Sequence, residues 1–294
     1  MGEDRRVSRL FCFGLGYSAE TLAKRLAAKG WSIAGTARDL ANIERLRGQG
    51  YEVCRFTGEP GNAEVLEALA GTSHLLHSIP PGPDGDPVLR YYRAEIARLP
   101  TLDWIGYLST VGVYGNHSGA AVDEAAEPHP NNERTRARVV AESAWLALGE
   151  EIERPAQVFR LAGIYGPGRC ALDKLRAGTA RRIVKPGQVF NRIHVEDIAS
   201  VLEASIARPR AGAIYNVADD EPAPPEDVVT YAAELLGIEP PPEVPFEEAD
   251  LTPMARSFYG DRRRISNALI KSELGVRLAY PNYREGLKAL ADTA

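Results

Sequence analysis

The stretch FCFGLGYSAETLAKRL, residues 11–26, constrains this chain most. An apolar strand-like run leads straight into Gly14, Gly16 and Ala19, spaced as GxGxxA, and from there into an amphipathic helix. Each position has a physical reason. Gly14 permits a tight turn, Gly16 lets the backbone approach a pyrophosphate, and Ala19 is small enough for the helix to lie close on a sheet. The amides around Tyr17 and Ser18 then point at the phosphates, aided by the positive end of the helix dipole. The pattern predicts the first βα unit of a dinucleotide-binding sheet.

The rhythm downstream agrees. RLFCF (9–13), WSIAGT (31–36), YEVCRF, HLLHSI and WIGYLS (104–109) read as buried strands. They alternate with helix-like segments at 18–30, 40–50, near 63–70 and near 87–98. Strand and helix in alternation imply a parallel sheet covered on both faces. After residue 150 the strands AQVFRLAGIYG and AIYNVA flank a helix within VEDIASVLEASIA, and the Pro-rich stretches EPAPPED and EPPPEVPFEEAD punctuate the C-terminal part. At 294 residues the chain exceeds one ordinary domain, so a smaller appended lobe is expected.

Composition removes several classes. The formal net charge is −5, and the one locally basic run, RRR at 262–264, is too short to track phosphates, which argues against nucleic acid. Three cysteines without CxxC spacing give neither a disulfide framework nor a thiolate metal site; Cys12 and Cys54 read as core residues. His74 and His77 lie three apart in an extended run and so face opposite ways, which argues against a shared metal. No apolar stretch reaches membrane-spanning length, and the opening MGEDRRVSRL lacks a signal-type apolar region, so a cytoplasmic location is expected.

The choice of dinucleotide rests on the end of the second strand, about 20 residues after the glycines. An NAD site wants a carboxylate there for the ribose. GTARD offers Thr36 at the tip and Arg38 two residues on, a hydroxyl and a planar multidentate cation suited to a 2′-phosphate. NADP is therefore favoured over NAD, and Asp39 reads as the N-cap of the next helix.

The chain resembles the extended short-chain dehydrogenases/reductases of the NAD-dependent epimerase/dehydratase family. The resemblance is carried by GLGYSA, GTARD, YLSTVGVYG (107–115), VDEAAEPHP, FRLAGIYGPGR (159–169), RIHVEDIA (192–199), IYNVADDEP and RRISNALIKSELGV, in the family's order. It implies an α/β, doubly wound parallel (Rossmann) sheet, with residues 1–166 and 191–217 binding the dinucleotide. Residues 167–190 and 218–294 would form a smaller substrate-binding lobe. It also implies that Ser78, Ile79 and Pro80 border the adenosine, that Leu161 and Ile164 flank the nicotinamide, and that Thr110 supplies the hydroxyl for a substrate oxygen. A homodimer is a family expectation.

One family feature is missing. A Tyr, three residues, a Lys and then a Glu four residues beyond should follow; counting back from Glu142, these positions hold Arg134 and Arg138. In PNNERTRARVVAE (130–142) the helical stripe Ala137, Val140, Ala141, Ala144, Trp145 and Leu148 reads as buried. Arg134 and Arg138 fall on its border, and Arg136 points away. The family's tyrosine moves a proton with its pKa drawn down by the neighbouring ammonium. A guanidinium has no accessible neutral form, so Arg134 cannot replace it. The resemblance thus implies an atypical member: an NADP-dependent oxidoreductase or epimerase with altered acid/base residues and an anionic small-molecule substrate, or a non-catalytic NADP-binding sensor. Tyr107, Tyr114, Tyr165 and His194 are the other groups able to offer a proton, and a structural role for both Arg134 and Arg138, motivated by Glu142 four residues from Arg138, is the third alternative.

Overall fold

In the computed structural model, which describes residues 8–60 and 62–292, the run RLFCF forms β1 (Arg9–Phe13) and the chain enters α1 (Tyr17–Ala28) directly from the glycine turn. The alternation continues through β2 (Ser32–Ala37), α2 (Leu40–Arg47), β3 (Glu52–Arg55), α3 (Ala63–Leu69), β4 (His74–His77), α4 (Pro87–Ala97) and β5 (Trp104–Thr110). A 3-10 turn at Val111–Tyr114 and β6 (Ala121–Val122) lead to α5 (Glu133–Glu151), β7 (Ala156–Leu161), β8 (Gly163–Tyr165), α6 (Ala171–Arg176), β9 (Arg182–Val184) and β10 (Arg192–His194). The remainder comprises α7 (Val195–Ala207), β11 (Ile214–Val217), α8 (Pro225–Leu236), β12 (Glu243–Pro245), α9 (Pro253–Phe258), β13 (Arg264–Ile265), α10 (Ala268–Ser272) and α11 (Tyr283–Asp292).

Seven strands form one parallel sheet flanked by helices, in the order β3-β2-β1-β4-β5-β7-β11. This is the doubly wound α/β architecture expected of the sequence. The strand order reverses between β1 and β4, and in such sheets the crevice beyond the carboxyl ends at that point is where ligands bind. Strands buried on both faces explain the continuous apolar runs. Phe11, Phe13, Leu75, Ile105, Tyr107 and Val158 pack one face against α3, α4 and α5, through Val65, Tyr92, Ile96, Trp145 and Leu148.

By its contacts the chain divides into two units, Met1–Thr110 with Asn131–Arg160 and Ala199–Tyr215, and Val111–Pro130 with Leu161–Ile198 and Asn216–Ala294. The second unit thus takes in 111–130, 161–166, 191–198 and 216–217, which the sequence alone assigns to the dinucleotide part. The reason is strand pairing: β6 pairs with β13 and β8 with β10, each in parallel. A separate core in this unit joins α6, α8 and α11 through Leu172, Leu175, Val228, Ala232, Tyr283 and Leu287.

Among the described residues no helix is long and apolar enough to cross a membrane, and no cluster of three or more His, Cys, Asp or Glu could hold a metal ion. Cys12, Cys54 and Cys170 are buried free thiols. Most of MGEDRRVSRL, on which the targeting expectation rests, lies outside the described residues.

Candidate functional site

The glycine turn is held by hydrogen bonds that its sequence permits. Gly14 sits at φ +85°, and a Cβ there would lie 2.7 Å from Ser78 Oγ and 2.9 Å from Ile79 Cγ1. The loop therefore presses against the end of β4, and Ser78 Oγ donates to the Gly14 carbonyl at 2.6 Å. Gly16 differs: a Cβ there would meet no protein atom within 4 Å. It faces open space, and as N-cap of α1 it offers no side chain to satisfy the first-turn amides. An uncapped helix start beside a glycine with unfilled space in front is a fit for a phosphate group. Tyr17 is half-buried in that first turn, Ser18 is buried, and Pro80 is exposed two residues beyond Ser78.

Thr36 differs from its expected role. It is fully buried, and its hydroxyl accepts from the Gly14 amide at 3.0 Å. The side chain is committed to holding the glycine loop instead of facing a ribose, because the residue falls inside β2 and not beyond its tip. Arg38 lies exposed just past the strand, and Asp39 caps α2 by accepting from Asn42 N at 3.0 Å. Register brings a second cation alongside. Ala37 pairs with Arg55 at the end of β3, and Arg55 Nε donates to the Arg38 carbonyl at 3.4 Å. Arg55 was not legible as a site residue, since only strand register puts the two sequence-distant positions side by side.

Thr110 ends β5, half-buried. Helix α5 starts at an Asn132–Thr135 capping box, which leaves Arg134 exposed in the first turn and Arg138 half-buried one turn later. Arg136 is exposed, as the helical geometry predicts. Val140 does not join the buried stripe: it is 66% exposed, and the inward positions are Thr135, Ala141, Glu142, Trp145 and Leu148. The stripe curves toward Glu142 because that carboxylate, 3% exposed, has a buried partner.

That partner is Arg160 on β7 and not Arg138. Arg160 Nη2 meets Glu142 Oε2 at 2.7 Å and its Nε reaches both carboxylate oxygens, while Ser109 Oγ donates to Oε1. Arg138 Nη1 instead donates to the Leu108 carbonyl at 2.7 Å and the Tyr107 hydroxyl at 3.1 Å. The Arg138–Glu142 pairing that the spacing suggests is not formed, because the carboxylate points inward to a cation from another strand. Arg138 fastens the end of β5, the strand that carries Thr110.

Below this lies a buried polar group that the sequence did not reveal. His77 Nε2 contacts Asp86 Oδ2 at 2.7 Å, and Trp145 Nε1 donates to the same oxygen at 3.1 Å. Asp86 Oδ1 caps α4 by accepting from Val88 N and Leu89 N. Burial pushes the Asp86 carboxyl up, but the facing imidazole and these donors outweigh it and hold the group below its ordinary value.

Of the other proton donors, burial shifts Tyr107, Tyr165 and His194 away from neutrality. Tyr107 is buried and pushed well above the phenol range, an effect of burial that Arg138 only partly offsets. Tyr114 is fully buried with its hydroxyl donating to Asn216 Oδ1 at 2.8 Å. Burial likewise raises Tyr165, and it lowers His194 to about 4, so that the ring is neutral and its Nδ1 accepts from Glu196 N. Leu161 ends β7, buried, and Ile164 pairs with Ile193 in the second unit.

Comparison with known proteins agrees with this geometry. The sequence model of the NAD dependent epimerase/dehydratase family matches residues 94–218. A solved structure of a functionally unknown conserved protein from Silicibacter pomeroyi DSS is 52% identical with a TM-score of 0.88, covering 98% of this chain and 99% of that one. Protein YeeZ of Escherichia coli K12 is 28% identical over 286 residues, 94% of this chain and 97% of that protein. UDP-glucuronic acid 4-epimerase from Bacillus cereus, solved in complex with NAD, shares the fold at 16% identity and a TM-score of 0.76, with 97% of each chain covered. Residues 94–218 thus match the NAD dependent epimerase/dehydratase family, and the doubly wound sheet with its glycine turn is the fold shared with the solved epimerase.

Proposed function

We propose that this protein binds NADP and works as a reductase-type oxidoreductase on a small anionic acceptor, without the family's tyrosine–lysine acid/base pair. The observation that carries the reading is the pair Arg38 and Arg55 at adjacent strand ends, joined by the Arg55 Nε to Arg38 carbonyl contact. Two guanidinium groups at the ends of β2 and β3, beside an Asp39 carboxylate engaged in capping α2, suit a 2′-phosphate better than a bare ribose diol. The first-turn amides of α1 would hold the pyrophosphate in front of Gly16, and Ser78, Ile79 and Pro80 would border the adenosine.

When bound, NADP supplies or accepts a hydride. The chain's own groups then decide the direction of the chemistry. Oxidising an alcohol requires a base at its oxygen, and Arg134 has no neutral form to act as one. Reducing an electron-poor acceptor requires only that developing negative charge be stabilised, which a guanidinium does well. In this reading Thr110 hydrogen-bonds the acceptor oxygen, Arg134 stabilises the charge, and water delivers the proton. Arg138 is a positioning residue, through its bonds to Leu108 and Tyr107.

The test is incubation with NADPH deuterated at C4 and a panel of conjugated carbonyl and carboxylate compounds. Deuterium in a product, lost in Thr110→Ala, supports the reading. NADPH that binds but passes no deuterium to any compound favours a non-catalytic NADP-binding protein. That second reading has its own support in the buried state of Tyr107, Tyr114, Tyr165 and His194.

A further inference from the structure

The RRR run at 262–264 has no part in the cofactor elements, and its three members have different fates. Arg263 pairs with Asp261 at 3.2 Å and donates to the Gly115 carbonyl, and Arg264 is exposed on β13. Arg262 lines a pocket of about 230 Å³ together with Asn116, Lys185, Pro186, Gln188, Tyr259 and Gly260, all within the second unit.

The two cations of this pocket are held in place without being neutralised. Arg262 is anchored by its backbone: its amide donates to Asn116 Oδ1 at 3.0 Å, and its carbonyl accepts from His117 N and Gly119 N. Its side chain lies so close to Gly187 that a Cβ there would sit 2.7 Å from Nη1. Gly187 also occupies the left-handed position, φ +75°, of the Lys185-Pro186-Gly187-Gln188 turn, closed by Gln188 N to Lys185 O at 3.0 Å. Proline second and glycine third is the type II pattern, and it sets Lys185 at the pocket. Lys185 Nζ donates to the Tyr259 carbonyl at 2.5 Å and lies 4.5 Å from the centre of the Phe246 ring. Neither Lys185 nor Arg262 is ion-paired with a carboxylate among the described residues.

A guanidinium lying against Gly187 and Gly119 and an ammonium held by the Tyr259 carbonyl, neither paired with a carboxylate, make one concave surface a receptor for an oxyanion. Asn116 adds an amide whose oxygen is already committed to Arg262 N and Ser118 N. Drug-sized ligands fill pockets of roughly 300–1,000 Å³, so a smaller pocket takes one end of a molecule. We propose that this pocket binds the carboxylate or phosphate end of a small anionic ligand. That the ligand is also the hydride acceptor rests on the reading under Proposed function; the binding itself does not.

The test uses the full chain, with inorganic phosphate and with benzoate as probes, titrated by calorimetry at ionic strength matched with sodium chloride. Saturable binding of at least one probe is expected, with affinity reduced about tenfold to a hundredfold in both Arg262→Gln and Lys185→Gln, the worth of a charge-assisted contact. Binding of phosphate alone or of benzoate alone identifies the headgroup. The NADPH affinity of both variants should equal that of the parent chain, which separates this site from the cofactor elements. If Arg262→Gln does not fold, Lys185→Gln carries the test, since its turn is closed by backbone. No saturable binding of either probe, or binding that neither substitution weakens, would overturn the proposal.

Discussion

Replacing Arg160 by methionine should strongly destabilise the first unit. The Arg160 and Glu142 side chains are 3% and 4% exposed, and the guanidinium reaches both carboxylate oxygens. Arg160→Met keeps an apolar stem but leaves a buried carboxylate whose one remaining side-chain donor is Ser109. Removing one partner of such a pair costs about 3–5 kcal/mol, while removing both charges together is close to neutral. At about 2–4 °C per kcal/mol for a chain of this order of size, the single variant should melt about 6–20 °C lower. Adding Glu142→Gln removes the stranded charge and keeps an acceptor for Ser109, so the double variant should regain more than half of that loss. The assay is thermal denaturation by circular dichroism, repeated with urea, on the parent, both single variants and the double. A loss below about 1 kcal/mol in Arg160→Met, or a double variant no more stable than the single, would refute the reasoning.

Three further outcomes follow from the geometry. Gly14→Ala should lower stability by about 1–3 kcal/mol, since it forces a side chain into a left-handed φ and against Ser78, whereas Gly16→Val should cost only about 1 kcal/mol, as an unfavourable N-cap, and abolish nucleotide binding. Burial, opposed by the Arg192 cation, raises the Asp219 carboxyl to about 8. The folded chain therefore holds a proton that the unfolded chain releases near pH 4, so Asp219 costs stability progressively as pH rises from about 4 to about 8. Asp219→Asn should thus stabilise more at pH 8 than at pH 5, and an equal effect at both in melting experiments would contradict the assignment. Arg138→Ala should reduce turnover more than cofactor affinity, because its bonds go to Leu108 and Tyr107 at the end of β5; steady-state kinetics against NADPH binding separates the two.

What the sequence makes legible is local and periodic. The glycine spacing, the strand runs and the Asp39 cap all depend on neighbours within a few residues, and each is found in the structure. The failures concern distance along the chain. Thr36 could be located at the end of a strand but not oriented, since one residue of register separates a tip facing ligand from a side chain under the loop. Glu142 lies four residues from Arg138, a spacing that suggests a helix-surface pair, yet its partner comes from a strand 18 residues away. Val140 shows the same limit: a buried carboxylate turns the inward face of α5, which a count of apolar residues cannot register. Arg55 and the Lys185–Arg262 pocket are invisible for a related reason, being assembled from segments that only the fold brings together.

The most direct test of the account is the affinity of the parent chain and of Arg38→Ala for NADPH and for NADH, measured by fluorescence titration at one ionic strength. If Arg38 and Arg55 read the 2′-phosphate, the parent chain prefers NADPH, and Arg38→Ala weakens NADPH by about tenfold to a hundredfold while leaving NADH unchanged. Equal affinity of the parent chain for the two nucleotides, or an Arg38→Ala variant that still prefers NADPH by the parental margin, would contradict it.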